Sequence, residues 1–248
     1  MIIDIHSHFN TGDKFDYPEN EIHKRNRIFI KEDYDNCGIK VGGFSQFSSL
    51  FEAKSDIFYE NEKMEKLAIE NDWIYQWVVL DPRKEELFAQ AKRILNNKKT
   101  LGIKIHSVLH EYNIEEYVDE IFNFANDLKC FVLMHPDKIS DMVKFADKYP
   151  NMKLIIAHLG SVEHVDAIEK AKHGNIYTDT SGMASCNNNI VEYAVSRVGS
   201  EKIFFGTDTY SCGFQVGRIQ FARISSEDKE NILCNNAKGC FAKQFSNI

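Results

Sequence analysis

Short apolar and β-branched runs alternate along this chain with longer segments whose apolar residues recur at helical spacing. The runs lie at 2–8, 39–44, 73–80, 102–106, 130–135, 153–158, 175–180 and 203–207. Between them the pattern predicts helices. The first covers 19–36 and is closed by Gly38 as a C-terminal cap. The next carries Phe58, Met64, Leu67 and Ala68 and ends near Asn71, and another starts at Asp81-Pro82 and carries Leu87, Ala91, Ile94 and Leu95. The clearest stripe is Ile114, Val118, Ile121, Phe122, Ala125 and Leu128, a helix over 114–128. Further helices are expected over 140–148, from Ser161 as N-cap to His173, over 190–198, and, after a loop, over 226–245.

Strict alternation of strand and helix calls for a parallel sheet. Eight units in 248 residues favour an α/β fold closed as a (β/α)8 TIM-type barrel over an open doubly wound sheet. No Gly/Ser/Pro linker or composition break divides the chain, so residues 1–248 are expected to form a single domain.

Barrels of this kind place their chemistry at the C-terminal ends of the strands. Those ends carry His6 and His8 on the first strand, His106 on the fourth, His135 on the fifth and His158 on the sixth, with Asp208 just past the eighth. Two imidazoles one residue apart on a strand share a face, and neutral imidazole nitrogen is a good metal ligand. Period-two alternation puts Asp4, His6 and His8 on one face of the first strand, with Ile3, Ile5 and Ser7 on the other. The same rule groups Phe131, Leu133 and His135, then Leu154, Ile156 and His158, then Phe204, Gly206 and Asp208, each set pointing into the barrel mouth. Converging buried imidazoles are costly without a partner, and a metal ion removes that cost.

Composition narrows the class without choosing within it. The chain is 43% hydrophobic and 27% charged, an ordinary globular balance, and its net charge of −7 argues against a nucleic-acid or anionic-membrane partner. Six scattered cysteines with no CxxC pair read as reduced thiols. With no signal-peptide pattern and no apolar run long enough to span a bilayer, a cytoplasmic location is expected. Oligomeric state is not legible.

The ordered segments IDIHSHF at 3–9, GIKIH at 102–106, FVLMHPD at 131–137, LIIAHLGS at 154–161, FFGTDTY at 204–210 and ILCNNAKGCF at 232–241 carry a resemblance. They resemble the amidohydrolase superfamily, and within it the amidohydrolase-related group of metal-dependent barrel hydrolases and decarboxylases. The resemblance implies that His6, His8, His135 and Asp208 hold a main metal. It implies that His158 is either a ligand to a second metal or a catalytic histidine facing the substrate, and that Asp208 also transfers the proton. The implied cofactor is one or two divalent ions, with Zn²⁺ first and Mn²⁺, Fe²⁺ or Co²⁺ open, since His and carboxylate ligands suit all of them.

Lys104 shares its face with His106 and should point into the barrel. Three readings stand for it: a carbamate bridging two ions, as the resemblance allows; a group that, with His106, binds a substrate carboxylate; or a lysine paired with an interior acid such as Asp4 or Asp179. Asp4 reads as support for the ligands or for the barrel, while Phe9, Asn10 and Tyr210 are candidate pocket residues and Gly160-Ser161 a candidate anion site. The expected function is metal-dependent hydrolysis of an amide, lactone or ester bond in a small molecule through an activated water, with decarboxylation of a small carboxylated aromatic or enoic substrate as the alternative. A deoxyribonuclease barrel is disfavoured because the fourth-strand end carries Lys104 and His106 where a glutamate would stand, and a noncatalytic barrel because every ligand position is filled. Substrate choice should lie in the loops 10–18, 46–56 and 107–113.

Overall fold

A computed structural model describes residues 1–9, 26–51, 56–246 and 248. Its eight parallel strands are β1 (Ile2–Phe9), β2 (Ile39–Gln46), β3 (Ile74–Val79), β4 (Thr100–Ile105), β5 (Phe131–Met134), β6 (Lys153–Ile156), β7 (Ile176–Asp179) and β8 (Ile203–Phe204), which pair in chain order. The seam between first and last is crossed by main-chain hydrogen bonds. The Ile5 N–H donates to the Phe205 carbonyl at 2.9 Å, and the Thr207 and Asp208 N–H groups donate to the His6 carbonyl at 3.2 and 2.8 Å. These bonds close the sheet as the (β/α)8 TIM-type barrel that the alternation demanded.

The helices are α1 (Arg27–Cys37), α2 (Phe47–Phe51), α3 (Ile57–Glu70), α4 (Glu85–Ile94), α5 (Val118–Leu128), α6 (Asp141–Lys148), α7 (Val162–Lys170), α8 (Ile190–Val198), α9 (Cys212–Gln220), α10 (Ser226–Glu230) and α11 (Asn236–Cys240). Gly38 closes α1 as expected, with φ 74°; the expected start of that helix at 19 lies outside the described residues. The helix expected over 114–128 is two pieces, because Asn113 caps a separate 3-10 turn, Ile114–Glu116, before α5 begins. The loop expected after the eighth strand contains α9. The expected closing helix is broken by a π-helical turn at Asn231–Asn235 and ends at Cys240. Among the described residues no helix is long and apolar enough to cross a membrane.

Packing shows that strict alternation fails in β1 and in β6. In β1, Ile3 and Ile5 pack in the barrel interior with Leu133, Ile155 and Phe204, whereas Asp4 turns outward to the Tyr34 hydroxyl on α1. This reverses the expected grouping of Asp4 with the histidines. The cause is a bulge: pairing with β2 runs Asp4 to Gly42 and then Ser7 to Phe44, three steps against two. The bulge turns both Ile5 and His6 inward, and the freed Ile5 carbonyl accepts the Trp77 indole N–H at 2.6 Å. That contact requires Gly43, where a Cβ would come within 2.9 Å of both the Ile5 oxygen and the Trp77 nitrogen.

In β6 the inward residues are Ile155 and Ala157, while Leu154 and Ile156 face the helices, again opposite to expectation. His158 should then face outward. It reaches the mouth because its backbone leaves the strand in the left-handed region, φ 65°. On β5 the expected grouping holds, with Phe131 and Leu133 interior below His135.

Candidate active site

Each expected rim residue reaches the C-terminal mouth. His8, Lys104, His106, His135, His158 and Asp208 line one cavity of about 310 Å³, and Phe47, Leu50, Val108, Leu109 and Tyr210 give it an apolar wall. His6 lies at its floor, where ligand atoms of His6, His158 and Asp208 all fall within 4.8 Å of one another. That tight group differs from the set His6, His8, His135 and Asp208 carried over from the resemblance. His8 stands beside it, with Nε2 3.1 Å from Asp208 Oδ1, and the His135 ring meets the His158 ring edge-on at 5.2 Å.

Hydrogen bonds fix which nitrogen of each ring faces the mouth. His6 Nδ1 donates to Asp179 Oδ2 at 2.9 Å, leaving Nε2 as a lone pair that accepts from Lys104 Nζ at 2.9 Å. His158 Nδ1 donates to the Ser181 carbonyl at 3.0 Å, so in the neutral ring Nε2 is an acceptor. Ser45 Oγ holds His8 Nδ1 at 2.8 Å. His106 stacks on His135 with ring centres 4.4 Å apart, and its Nδ1 accepts the Leu109 N–H at 3.3 Å, which leaves an N–H on Nε2. His135 Nδ1 is buried and has no hydrogen-bond partner among the described residues. Gly182, at φ 61°, keeps space open beside His158 and Asp208, since a Cβ would stand 3.1 Å from His158 Nδ1 and 3.3 Å from Asp208 Oδ2.

Charge in this corner is strongly biased. Burial and then the Lys104 ammonium push His6 down to about 3, and burial with His158 and Lys104 pushes His135 down to about 4. Burial lowers Lys104 to about 8, opposed by Asp208 and Asp179, and burial with Lys104 also lowers His106. Burial would raise Asp179 and Asp208, yet His6 on the first and His8 on the second hold both carboxyls well below the usual carboxylate range. This corner therefore holds His6, His106 and His135 as neutral imidazoles beside ionised carboxylates and one ammonium.

Asp179 and Ser181 are the residues whose part here sequence reasoning did not assign. Asp179 sat at the end of the seventh strand and was considered only as a partner for Lys104; it orients His6 instead, while Ser181 Oγ lies 2.9 Å from Nδ1 of both His6 and His158. Asp4 does not pair with Lys104 either. It accepts the His6 N–H at 2.9 Å, the Tyr34 hydroxyl at 2.6 Å and the Thr207 hydroxyl at 2.5 Å, and burial pushes its carboxyl up to about 7 against those donors. Phe9 is not in the pocket, because it packs outward on Phe44 with ring centres 4.7 Å apart; Asn10 lies outside the described residues. Ser161 makes no side-chain cap and engages His164 Nδ1 at 3.1 Å instead.

Comparison with solved structures returns the same architecture. The chain is similar to 2,6-dihydroxybenzoate decarboxylase from Rhizobium, with TM-score 0.75 and 14% identity, over 97% of this chain and 98% of that one. It is similar to a dihydroxybenzoic acid decarboxylase from Polaromonas holding manganese and the inhibitor 2-nitroresorcinol, with TM-score 0.70 and 17% identity, over 97% and 96%. A third likeness is to a Pseudomonas putida protein provisionally described as a 2-pyrone-4,6-dicarboxylic acid hydrolase, with TM-score 0.71 and 14% identity, over 98% of each chain. No curated protein matches the sequence. The family model described as amidohydrolase matches residues 3–241, from within β1 to just past α11, and with no strand or helix of the barrel left outside that match, the chain belongs to the amidohydrolase family.

Proposed function

We propose that this amidohydrolase is a metal-dependent hydrolase cleaving an amide, lactone or ester bond in a small anionic molecule. Its residues fit a divalent cation: a compact group of imidazole and carboxylate ligand atoms, an orphaned buried His135 Nδ1, and rings oriented through their far nitrogens. His6, His8, His135 and Asp208 would hold it, with His158 as a further ligand; Zn²⁺ is the first candidate and Mn²⁺, bound by the Polaromonas relative, the next. When bound, such an ion supplies Lewis-acid polarisation of oxygen and lowers the pKa of water.

The remaining work falls to the chain. The observation that carries hydrolysis is the place of Asp208: its carboxylate lines the cavity beside the His6 and His158 ligand atoms and 3.1 Å from His8 Nε2, where it can take a proton from attacking water and return it to the leaving group. His158 Nδ1 lies 3.0 Å from the Ser181 carbonyl, which in the neutral ring turns the Nε2 lone pair toward the cavity and suits a ligand role. His106, with its N–H on Nε2, and the Lys104 ammonium line the same cavity and suit a substrate carboxylate or a developing oxyanion. The apolar wall of Phe47, Leu50, Val108 and Leu109 would hold the body of the molecule.

A second reading, decarboxylation, is favoured by that same pairing of an apolar wall with a cationic corner, which suits a flat carboxylated ring of the kind named for the Rhizobium relative. The test is a panel assay on metal-loaded protein: carboxylate-bearing lactones, amides and esters beside CO2 release from hydroxybenzoates. Hydrolysis abolished by chelation and restored by metal is the expected result. CO2 release without hydrolysis would replace the first reading by the second, and a His135→Ala variant with full metal content and activity would refute the ligand assignment. Metal analysis then separates one ion from two, the latter enlisting His158 and a carbamate on Lys104.

A further inference from the structure

The end of the barrel opposite the histidines holds a second cavity, of about 450 Å³, formed where β4, β5 and β6 begin and where the chain passes beyond α11. Lys92, Lys129, Lys153 and Lys243 line it, and among the described residues no acidic side chain does. Elsewhere on the surface Lys31, Lys144, Lys148, Lys170 and Lys172 each meet a carboxylate; the four around this cavity have no acid partner among the described residues. In a chain of net charge −7, a concave surface of uncompensated ammonium groups is a local reversal of sign.

Two further observations point to a ligand. Thr100, only 1% exposed, lines the cavity, and its buried hydroxyl has no hydrogen-bond partner among the described residues. A buried hydroxyl left unpaired destabilises the free site, and a bound oxygen would relieve that. The Phe131 and Phe241 rings, 4.4 Å apart, give the same cavity an apolar floor, with Lys153 Nζ 4.9 Å above Phe131. Lysine is a point-charge donor well matched to phosphate oxygens.

We propose that this cavity binds a small phosphate monoester with an apolar or aromatic body, at a site separate from the rim and independent of the reaction performed there. The phosphate would sit among the lysines with Thr100 donating to one oxygen, and the body would lie on the phenylalanines.

The test is calorimetric titration of the full metal-loaded chain with phenyl phosphate. The expected result is a site that phenol does not fill, that persists in His135→Ala, and that weakens as salt is raised. It should lose about tenfold or more in affinity in the Lys129→Gln/Lys153→Gln double variant, whose exposed or half-buried positions leave folding intact. Thr100→Val should weaken binding several-fold without lowering Tm, since the hydroxyl has no hydrogen-bond partner among the described residues. Binding unchanged in the lysine variant, binding lost in His135→Ala, or no heat at all would overturn the proposal and leave the lysines as complements to helix C-termini.

Discussion

Asp179→Asn keeps the shape of the side chain and removes the property the rim depends on. Both carboxylate oxygens of Asp179 are acceptors: Oδ2 takes the His6 Nδ1–H at 2.9 Å, while Oδ1 takes the Ser181 N–H at 2.8 Å and the Ser181 hydroxyl. An amide can accept on one side only, so either His6 or Ser181 would face an NH2 group. If His6 faces it, the imidazole must move its proton to Nε2, the nitrogen now accepting from Lys104 and proposed above to face a metal. Replacing a carboxylate that orients a metal-binding histidine typically lowers metal affinity by about 10–100-fold. That range corresponds to about 1.4–2.7 kcal/mol. Competition against a metallochromic chelator reads this directly, and activity should recover at saturating metal, because Asp179 does not line the substrate cavity. Wild-type metal affinity in the variant would refute the orientation argument.

Other perturbations test separate links. Trp77→Phe removes the indole donor to the Ile5 carbonyl freed by the bulge and should cost about 1–3 kcal/mol in urea denaturation; an unchanged midpoint would show that carbonyl satisfied otherwise. Lys104→Met should raise KM about tenfold or more for a carboxylate-bearing substrate and little for a neutral analogue, with metal content unchanged; a drop in bound metal would instead support the carbamate. In metal-free protein the folded state holds His135 at about 4 and His6 at about 3, while unfolded histidine protonates near 6.5. Between those values the unfolded chain binds more protons at these two histidines than the folded state gains at Asp4, raised to about 7, so stability should fall as pH drops from about 6.5 toward 4. Asp179 and Asp208, both depressed, add to that loss below the unfolded carboxylate pKa of about 3.9. A urea midpoint indifferent to pH across this window would contradict the burial of neutral imidazoles.

The barrel was legible because strand-and-helix alternation is a global pattern, and the rim because histidines at strand ends are conspicuous. Local exceptions were not. Nothing in Ile3-Asp4-Ile5-His6 announces that the strand bulges, since the cause lies in Gly43 and the Trp77 indole on neighbouring strands. His158 reaches the mouth through a left-handed backbone that side-chain alternation cannot foresee, so its expected position holds although the expected parity does not. Asp179 was passed over because an acid ending a strand has many ordinary uses until a histidine from another strand is placed beside it. The missed α9 carries a stripe, Cys212, Gln215, Val216 and Ile219, hidden by Gly213 and Gly217, poor helix formers.

Anomalous diffraction from crystals of the manganese-loaded protein tests the centre of this account most directly. The expected result is a peak at coordinating distance, about 2.0–2.3 Å, from His6, Asp208 and further rim imidazoles, with Lys104 displaced from His6 Nε2 or carbamylated. A mouth without a peak under excess metal, with Lys104 still bonded to His6, would contradict it.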